Sequence, residues 1–203
     1  SEGFAHQKQS VRIVEKLEKG GRGLNLTWEV RDGILNHQLS GNPSTLEGKV
    51  VRYADKIAYI NHDVDDSIRA GIIREEDLPD TYTDILGHST RERLNTLIHD
   101  IVNQSKDKPD IQMSEDVEFA FRGMRKYMFE NAKGEEQKAE NILRELFQYY
   151  MEHPELLSTE YIERMWQSGE TQERSVCDYI SGMTDQYAIA KFQEFFVPVA
   201  WRY

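Results

Sequence analysis

Four side chains that can bind ligands or exchange protons recur at helical spacing between residues 52 and 71. They lie four, three and four positions apart, in the order Asp55, Tyr59, His62 and Asp66. Residues at these intervals share one face of an α-helix, so the spacing predicts a polar stripe. A carboxylate in a helix that also buries apolar residues must be paired, protonated or bound to a metal ion, because an isolated buried charge is costly.

Two interpretations of this stripe are open, since Lys56 and Asp63 flank it. In the simpler one, Asp55 pairs with Lys56 or with a neighbouring Arg, and Asp63, Asp65 and Asp66 form a solvated acidic end of the helix. In the other, Asp55 binds a metal ion and the flanking side chains contact a ligand. The spacing alone does not decide between the two.

Apolar residues recurring at a period near 3.6 predict the helix that carries the stripe. It should run from about residue 46 to residue 70 and end at Gly71. Its apolar side chains predict that much of the helix is buried; they are Val50, Val51, Ala54, Ile57, Ala58, Ile60 and Val64. Two helices precede it, one over residues 5–18 that ends at the glycines of "GGRG" and one from Thr27 to about His37.

The rest of the chain also has helical periodicity, and sustained two-residue alternation is nearly absent. Further helices are predicted from "STRE", where Ser89 has capping-box spacing, and from Ser114 through Phe129. The last two helices are predicted over residues 137–151 and 173–196. Residues 106–112 and 154–159 are predicted to be connections between helices. The sequence therefore predicts an all-α fold, and its length of 203 residues favours one domain.

Composition excludes several classes of function. The chain has 36 acidic and 25 basic residues and a net charge of -11, which argues against binding extended nucleic acid. A small phosphorylated ligand stays compatible, because a local cluster of donors can hold a phosphate in an acidic protein.

The single cysteine, Cys177, rules out a disulfide framework and favours a cytoplasmic location. No segment has the roughly 20 apolar residues that a membrane span needs, so no membrane association is expected. The chain begins "SEGFAHQ", without Met and near a helical pattern, and is expected to be the interior of a longer protein.

Three separated motifs resemble one enzyme family. "GRGLNLTWEVRDGILNH", "LEGKVVRYADKIAYINHDVDDSIRAG" and "RSVCDYISGMTDQYA" occur in the order found in the deoxyguanosinetriphosphate triphosphohydrolases of the HD phosphohydrolase superfamily. The resemblance covers nearly the whole chain. It implies an HD-type helical bundle that binds one divalent metal through a His, an adjacent His-Asp pair and a distant Asp. Asp55 matches the distant Asp and is expected to be a metal ligand.

The resemblance also implies substrate contacts at single positions. Lys56 matches a residue that contacts the triphosphate, and Tyr59 matches the aromatic that lies against the sugar near C2′. Asp63 matches the carboxylate that accepts a hydrogen bond from the 3′-hydroxyl. His6, in "FAHQKQS", matches a histidine near the phosphates, although Gln7 stands where the family usually has Asn. The lesser candidates are Gln9, Arg12, Asp178 and Tyr179, and His37 is expected to be structural.

The family's first His, its His-Asp pair and its catalytic His and Glu all lie upstream of the position that matches Ser1. The two His-Asp dipeptides that the chain does contain begin at His62 and His99, and neither fits the family's chain order. This chain is therefore expected to be an incomplete HD-type helical bundle, the C-terminal portion of a larger enzyme. It would form a single helical unit over residues 1–203, with the active-site half at 1–71 and a helical C-terminal region at 72–203.

The function that the resemblance implies is hydrolysis of a deoxynucleoside triphosphate, with dGTP favoured, to deoxynucleoside and triphosphate. The cofactor would be a divalent ion of Mg, Mn, Co, Ni, Fe or Zn, held mainly by upstream ligands. The chain alone is expected to be inactive, with no catalytic residue assigned within it, and the intact protein to be a homo-oligomer. The alternative is a non-catalytic helical interaction or regulatory module on an HD-like scaffold.

Overall fold

The computed structural model describes residues 4–198, apart from the side chains of residues 132–136, 164–165 and 167–168. Within that part of the chain every regular element is helical and no strand occurs, which confirms the all-α prediction. The α-helices are α1 (His6–Arg12), α2 (Glu18–Gly21), α3 (Trp28–Leu35), α4 (Leu46–Arg69), α5 (Asp80–Leu86), α6 (Thr90–Ser105), α7 (Glu115–Glu152), α8 (Thr159–Ser168), α9 (Gln172–Ser181) and α10 (Asp185–Phe196). None of the described helices is long and apolar enough to cross a lipid bilayer.

The predicted first helix is interrupted by a change of winding. A π-helical turn, Ile13–Leu17, follows α1, and the chain then reverses through left-handed residues at Lys19 and Gly20. Gly23 lies against the end of this helix, where a Cβ would be 2.2 Å from the Glu15 carbonyl oxygen. Glycine is therefore required there, and the next amide, of Leu24, donates to the Val14 carbonyl at 2.7 Å.

Two glycines let α3 and α4 approach closely. A Cβ on Gly48 would lie 2.7 Å from Pro43 Cβ and 3.5 Å from Gly33 Cα, so a larger residue would force the two helices apart. The Thr45 hydroxyl caps α4 by accepting from the Gly48 amide at 3.1 Å. This junction fixes the start of the helix that carries the predicted site.

The chain divides into two compact units, Ser1–Asn131 and Ala132–Tyr203. The core of the first is formed from α4, α6 and the beginning of α7, and includes Ile60, Val64, Leu97 and Phe121. The core of the second includes Leu146, Tyr150, Leu157, Val176 and Ala188. The single helical unit predicted over residues 1–203 stays a prediction.

Several predicted helix boundaries are wrong. The expected break between residues 129 and 137 does not occur, because α7 is one helix of 38 residues. The intervening sequence is rich in Ala, Lys, Glu and Gln, and these good helix formers outweigh the cost of one glycine, about 1 kcal/mol. The predicted helix over 173–196 is instead two helices, since Thr184 caps α10 by accepting from the Tyr187 amide at 3.3 Å. Helices α5 and α8 were not predicted.

Candidate functional site

The polar stripe of α4 lies on the exposed side of the helix. The Asp55 side chain is 44% exposed and Tyr59 is 57% exposed, and His62 and Asp66 are also exposed. The buried residues Ile57, Ile60 and Val64 are largely on the opposite face. In this chain the stripe is therefore open to a ligand or to another part of a longer protein.

The prediction that much of α4 is buried is wrong for four of the seven apolar residues on which it was based. Val50 is 49% exposed, Val51 is 58% exposed, and Ala54 and Ala58 are exposed as well. The physical reason is that the core of the first unit packs against only one face of this helix. Tyr59 also falls outside the core, so within this chain core packing does not explain an aromatic residue at that position.

Asp55 and Lys56 form an ion pair. Lys56 Nζ lies 2.7 Å from Asp55 Oδ2, and the Lys56 side chain is only 16% exposed. This contact is the one that the simpler interpretation of the stripe predicts. An ion pair with an exposed carboxylate contributes little to stability, about 1 kcal/mol or less. The Asp55 carboxylate is therefore held by a weak partner that a metal ion could replace.

Asp63 lies one helical turn beyond Tyr59 and is half-buried. Burial raises the pKa of this carboxyl, and the negative charge of Asp66 raises it further, while His62 and Arg125 act in the opposite direction. A partly desolvated carboxylate gains from a hydrogen-bond donor. A sugar hydroxyl is one group that can donate such a hydrogen bond to Asp63.

The described residues do not form a metal site by themselves. No group of three or more His, Cys, Asp or Glu side chains that could hold a metal ion occurs among them. Hydrolytic metal sites generally use three protein ligands or more. Asp55 fits a divalent metal as one ligand among several, and the described part of this chain does not supply the others.

The structure brings His6 and His37 together, although they are 31 positions apart. Their Nε2 atoms are 3.1 Å apart, and the rings meet edge to face with centroids 5.0 Å apart. The next residue of each segment forms a second contact, in which Gln38 Nε2 donates to Gln7 Oε1 at 2.6 Å. His37 was expected to be purely structural, and no short-range sequence signal indicates its contact with His6.

The four lesser candidates are buried or half-buried, and two of them have polar partners in the second unit. Gln9 is buried and Arg12 is half-buried on α1. Asp178 is buried in the second unit, where Arg174 Nη2 lies 2.9 Å from its Oδ1. The Tyr179 hydroxyl is 3.3 Å from the Tyr187 hydroxyl, and burial raises the pKa of Tyr179 strongly.

The His-Asp dipeptide at His99 is also accounted for by the fold. Asp100 accepts a hydrogen bond from the Ser114 amide at 2.8 Å and so holds the approach to α7. In the other dipeptide, His62 is exposed on the polar stripe and Asp63 is half-buried. Neither dipeptide takes part in a described cluster of metal-binding side chains.

Comparison with known proteins places the chain in a family. Residues 111–194 match the model of the phosphohydrolase-associated domain. The chain is 45% identical, over 98% of its length and 60% of the relative's, to a deoxyguanosinetriphosphate triphosphohydrolase-like protein of Caldanaerobacter subterraneus subsp. tengcongensis. Proteins of the same name from Clostridium perfringens (strain SM101 / Type A) and Nitrosomonas europaea are 47% and 31% identical, over 97% and 96% of the chain and 61% and 67% of theirs.

No solved structure matches the chain. The chain spans about three fifths of the length of the first two relatives, at 60% and 61%. The match to the relatives nevertheless runs through almost all of it, including α4. The chain therefore belongs to the deoxyguanosinetriphosphate triphosphohydrolase-like family of the HD phosphohydrolases.

Proposed function

We propose that this chain is part of a metal-dependent hydrolase that cuts a deoxynucleoside triphosphate, with dGTP favoured, into deoxynucleoside and triphosphate. The names of relatives 45% and 47% identical over nearly the whole chain support this reaction class. The observation that carries the proposal is the exposed face of α4. It carries the Asp55 carboxyl group and the Tyr59 ring, with the Lys56 amino group 2.7 Å from the Asp55 side chain.

In this proposal the chain supplies binding groups for the two ends of the substrate. Lys56 and His6 donate hydrogen bonds to the triphosphate and offset its negative charge. Tyr59 lies against C2′ of the sugar, where a ribose hydroxyl would meet the ring. Asp63 accepts a hydrogen bond from the 3′-hydroxyl, which its partial desolvation favours.

Asp55 would be one ligand of a divalent ion of Mg, Mn, Co, Ni, Fe or Zn. When bound, such an ion polarises a phosphoryl oxygen and acidifies a water molecule. The remaining ligands would come from outside this chain, so the isolated chain should not hydrolyse nucleotides. A homo-oligomeric assembly and a cytoplasmic location stay predictions.

The experiment uses the intact gene product and the 203-residue chain side by side. Each is incubated with dGTP and with magnesium, manganese or cobalt, and triphosphate is separated from pyrophosphate and phosphate. We expect triphosphate from the intact protein and none above background from the chain. An intact, metal-loaded protein that bound no dNTP and released no triphosphate would instead favour the non-catalytic interaction module. Turnover by the chain alone would contradict its predicted inactivity.

A further inference from the structure

A contact between α1 and the segment after α3 suggests how His6 is oriented. His6 is the first residue of α1, and His37 lies two residues beyond the end of α3. From their contact we infer that His37 is a positioning residue that fixes the His6 ring, so that its Nδ1 edge is the one offered to the triphosphate. This inference rests on the proposed function for its ligand, but not for the contact itself.

The Ile34 carbonyl oxygen, which contacts His37, sets the direction of the hydrogen bond between His37 and His6. His37 Nδ1 lies 2.6 Å from the Ile34 carbonyl oxygen. A carbonyl oxygen can only accept, so His37 Nδ1 must carry the proton. In neutral His37 the other nitrogen, Nε2, is then an acceptor. His6 Nε2, 3.1 Å away, must be the donor.

This arrangement assigns different tasks to the two edges of the His6 ring. Its Nε2–H is used on His37, so Nδ1 is the nitrogen that can gain a proton or contact a ligand. With a proton at Nδ1 the ring would donate to a phosphate oxygen and keep its bond to His37. Hydrogen bonds to the second nitrogen of a functional histidine commonly fix its tautomer and orientation in this way.

Other contacts join the segments that carry His6 and His37. Gln38 donates to Gln7 at 2.6 Å, so two consecutive residues of one segment bind two consecutive residues of the other. Arg31, on α3, forms a 2.7 Å ion pair with Glu15 in the π-helical turn. Helix α3 also contacts α4, which carries Asp55 and Lys56. His6 is thereby connected, through α3, to the helix that carries the other phosphate contact.

The first test is spectroscopic and needs no enzyme activity. The intact protein is labelled with 15N-histidine, and the two residues are assigned by single substitutions. We expect His37 to be protonated at Nδ1 and His6 at Nε2, and we expect His37→Leu to shift the His6 Nε2 resonance. Finding His37 protonated at Nε2 and unprotonated at Nδ1 would overturn the inference.

The second test separates positioning from simple docking of α1. His37→Leu removes the acceptor, His37→Gln keeps an oxygen that can accept from His6, and Gln38→Met removes only the neighbouring contact. Loss of one hydrogen bond of this kind should lower kcat/KM for dGTP about tenfold in His37→Leu. We expect His37→Gln to recover part of this loss and Gln38→Met to stay within about twofold of wild type. Equal losses in His37→Leu and Gln38→Met would mean that only docking matters.

A third measurement distinguishes failure of this inference from failure of the proposed function. Inorganic triphosphate is titrated into the labelled intact protein, and we expect it to shift His6 Nδ1 more than His6 Nε2, with the difference lost in His37→Leu. That result in a protein without dNTP turnover would support the positioning of His6 and contradict the proposed reaction. Turnover with no response of His6 Nδ1 to triphosphate would support the reaction and overturn the positioning.

Discussion

Two carboxylates in different units of the chain are each paired with a cation, but they differ in solvent exposure. Asp55 lies 2.7 Å from Lys56 and its side chain is 44% exposed. Asp178 lies 2.9 Å from Arg174 and its side chain is 1% exposed. Exposed pairs contribute little to stability, whereas breaking a buried pair leaves a charge without solvent. At similar distances, the exposed Asp55 pair is therefore expected to contribute little to stability and the buried Asp178 pair to contribute more.

The largest effect should come from Asp55→Ala in the intact protein. If Asp55 is a metal ligand, removing it should lower the metal content and reduce turnover by on the order of 10²-fold or more. The free energy of unfolding of the metal-free protein should change little, because the carboxylate is exposed. The measurements are metal analysis, initial rates with dGTP and denaturant unfolding.

A matched control for Asp55→Ala is Glu118→Ala. Glu118 is also an exposed carboxylate in an ion pair, 2.6 Å from Arg122 Nη2. Its partner is also a cationic side chain, but Glu118 lies on α7 and is not one of the proposed metal or substrate contacts. Glu118→Ala should keep its metal and its turnover. Similar losses in both variants would show that exposed charge in general matters, and that Asp55 has no special function.

The next largest effect should come from Arg174→Met, and it should be on stability. The substitution keeps an apolar stem but removes the cation beside the buried Asp178 carboxylate. Breaking a buried pair typically costs about 3–5 kcal/mol, and the 39% exposure of the Arg174 side chain places this case near or below the lower end. We expect about 2–3 kcal/mol by denaturant unfolding of the intact protein. A loss below about 0.5 kcal/mol would mean that exposure does not distinguish the two pairs.

Asp63→Ala should weaken recognition of the 3′-hydroxyl. A hydrogen bond to a charged group contributes about 1.5–3 kcal/mol, so the kcat/KM ratio between deoxy- and dideoxynucleoside triphosphates should fall by about tenfold or more. The same change should not lower the melting temperature, because burial raises the pKa of Asp63 and so disfavours its ionised form in the folded protein. Reduced stability together with an unchanged ratio would make Asp63 a structural residue.

Tyr59→Ala should relax the selection against ribose. A ribose hydroxyl against this ring must clash or remain unpaired, and an unsatisfied buried polar group costs about 1–3 kcal/mol. The kcat/KM ratio between deoxy- and ribonucleoside triphosphates should therefore narrow, while the deoxy to dideoxy ratio stays the same. Since the ring is 57% exposed in this chain, folding should be largely unaffected. An unchanged ribose ratio in a folded variant would rule out the proposed contact.

The sequence predicts the element that carries Asp55 more accurately than it predicts the site around it. The predicted helix over 46–70 agrees with α4, Leu46–Arg69, because Thr45 caps its start and Gly71 adopts a left-handed conformation after its end. Both are local signals. The break between α9 and α10 also depends on a local cap, at Thr184, but the spacing of Tyr179, Met183 and Tyr187 continues an apolar stripe through it and hides the boundary.

Contacts over longer distances in the sequence could not be predicted. The contact between His6 and His37 depends on the reversal of the chain at Gly20 and Gly23, and the motif gave no reason to pair them. The exposure of Asp55 also depends on which face of α4 the core uses, and apolar residues occur on both faces. The motif resemblance predicts which residues are candidates, whereas their contacts come from the fold.

The smallest effect should come from Asp65→Ala, which tests a second carboxylate on the same helix as Asp55. Asp65 Oδ1 accepts a hydrogen bond from the Thr90 hydroxyl at 2.5 Å, and Thr90 in turn accepts from Arg93 Nη2 at 3.1 Å. Asp65 therefore holds the start of α6 against α4 and has no contact with the polar stripe in this network. Its loss should cost about 1 kcal/mol of stability and leave kcat/KM for dGTP within about twofold.

Thr90→Val is the matched partner for this last substitution, because it removes the donor and keeps the shape of the side chain. If the two residues stabilise the protein through one bond, the double variant should lose less stability than the sum of the single variants. Denaturant unfolding of the four proteins measures this coupling, and initial rates show whether turnover follows it. A fall in turnover in Asp65→Ala, without the same fall in Thr90→Val, would extend the functional face of α4 beyond the polar stripe. Asp55 would then not be distinguished from Asp65 by its position on the helix.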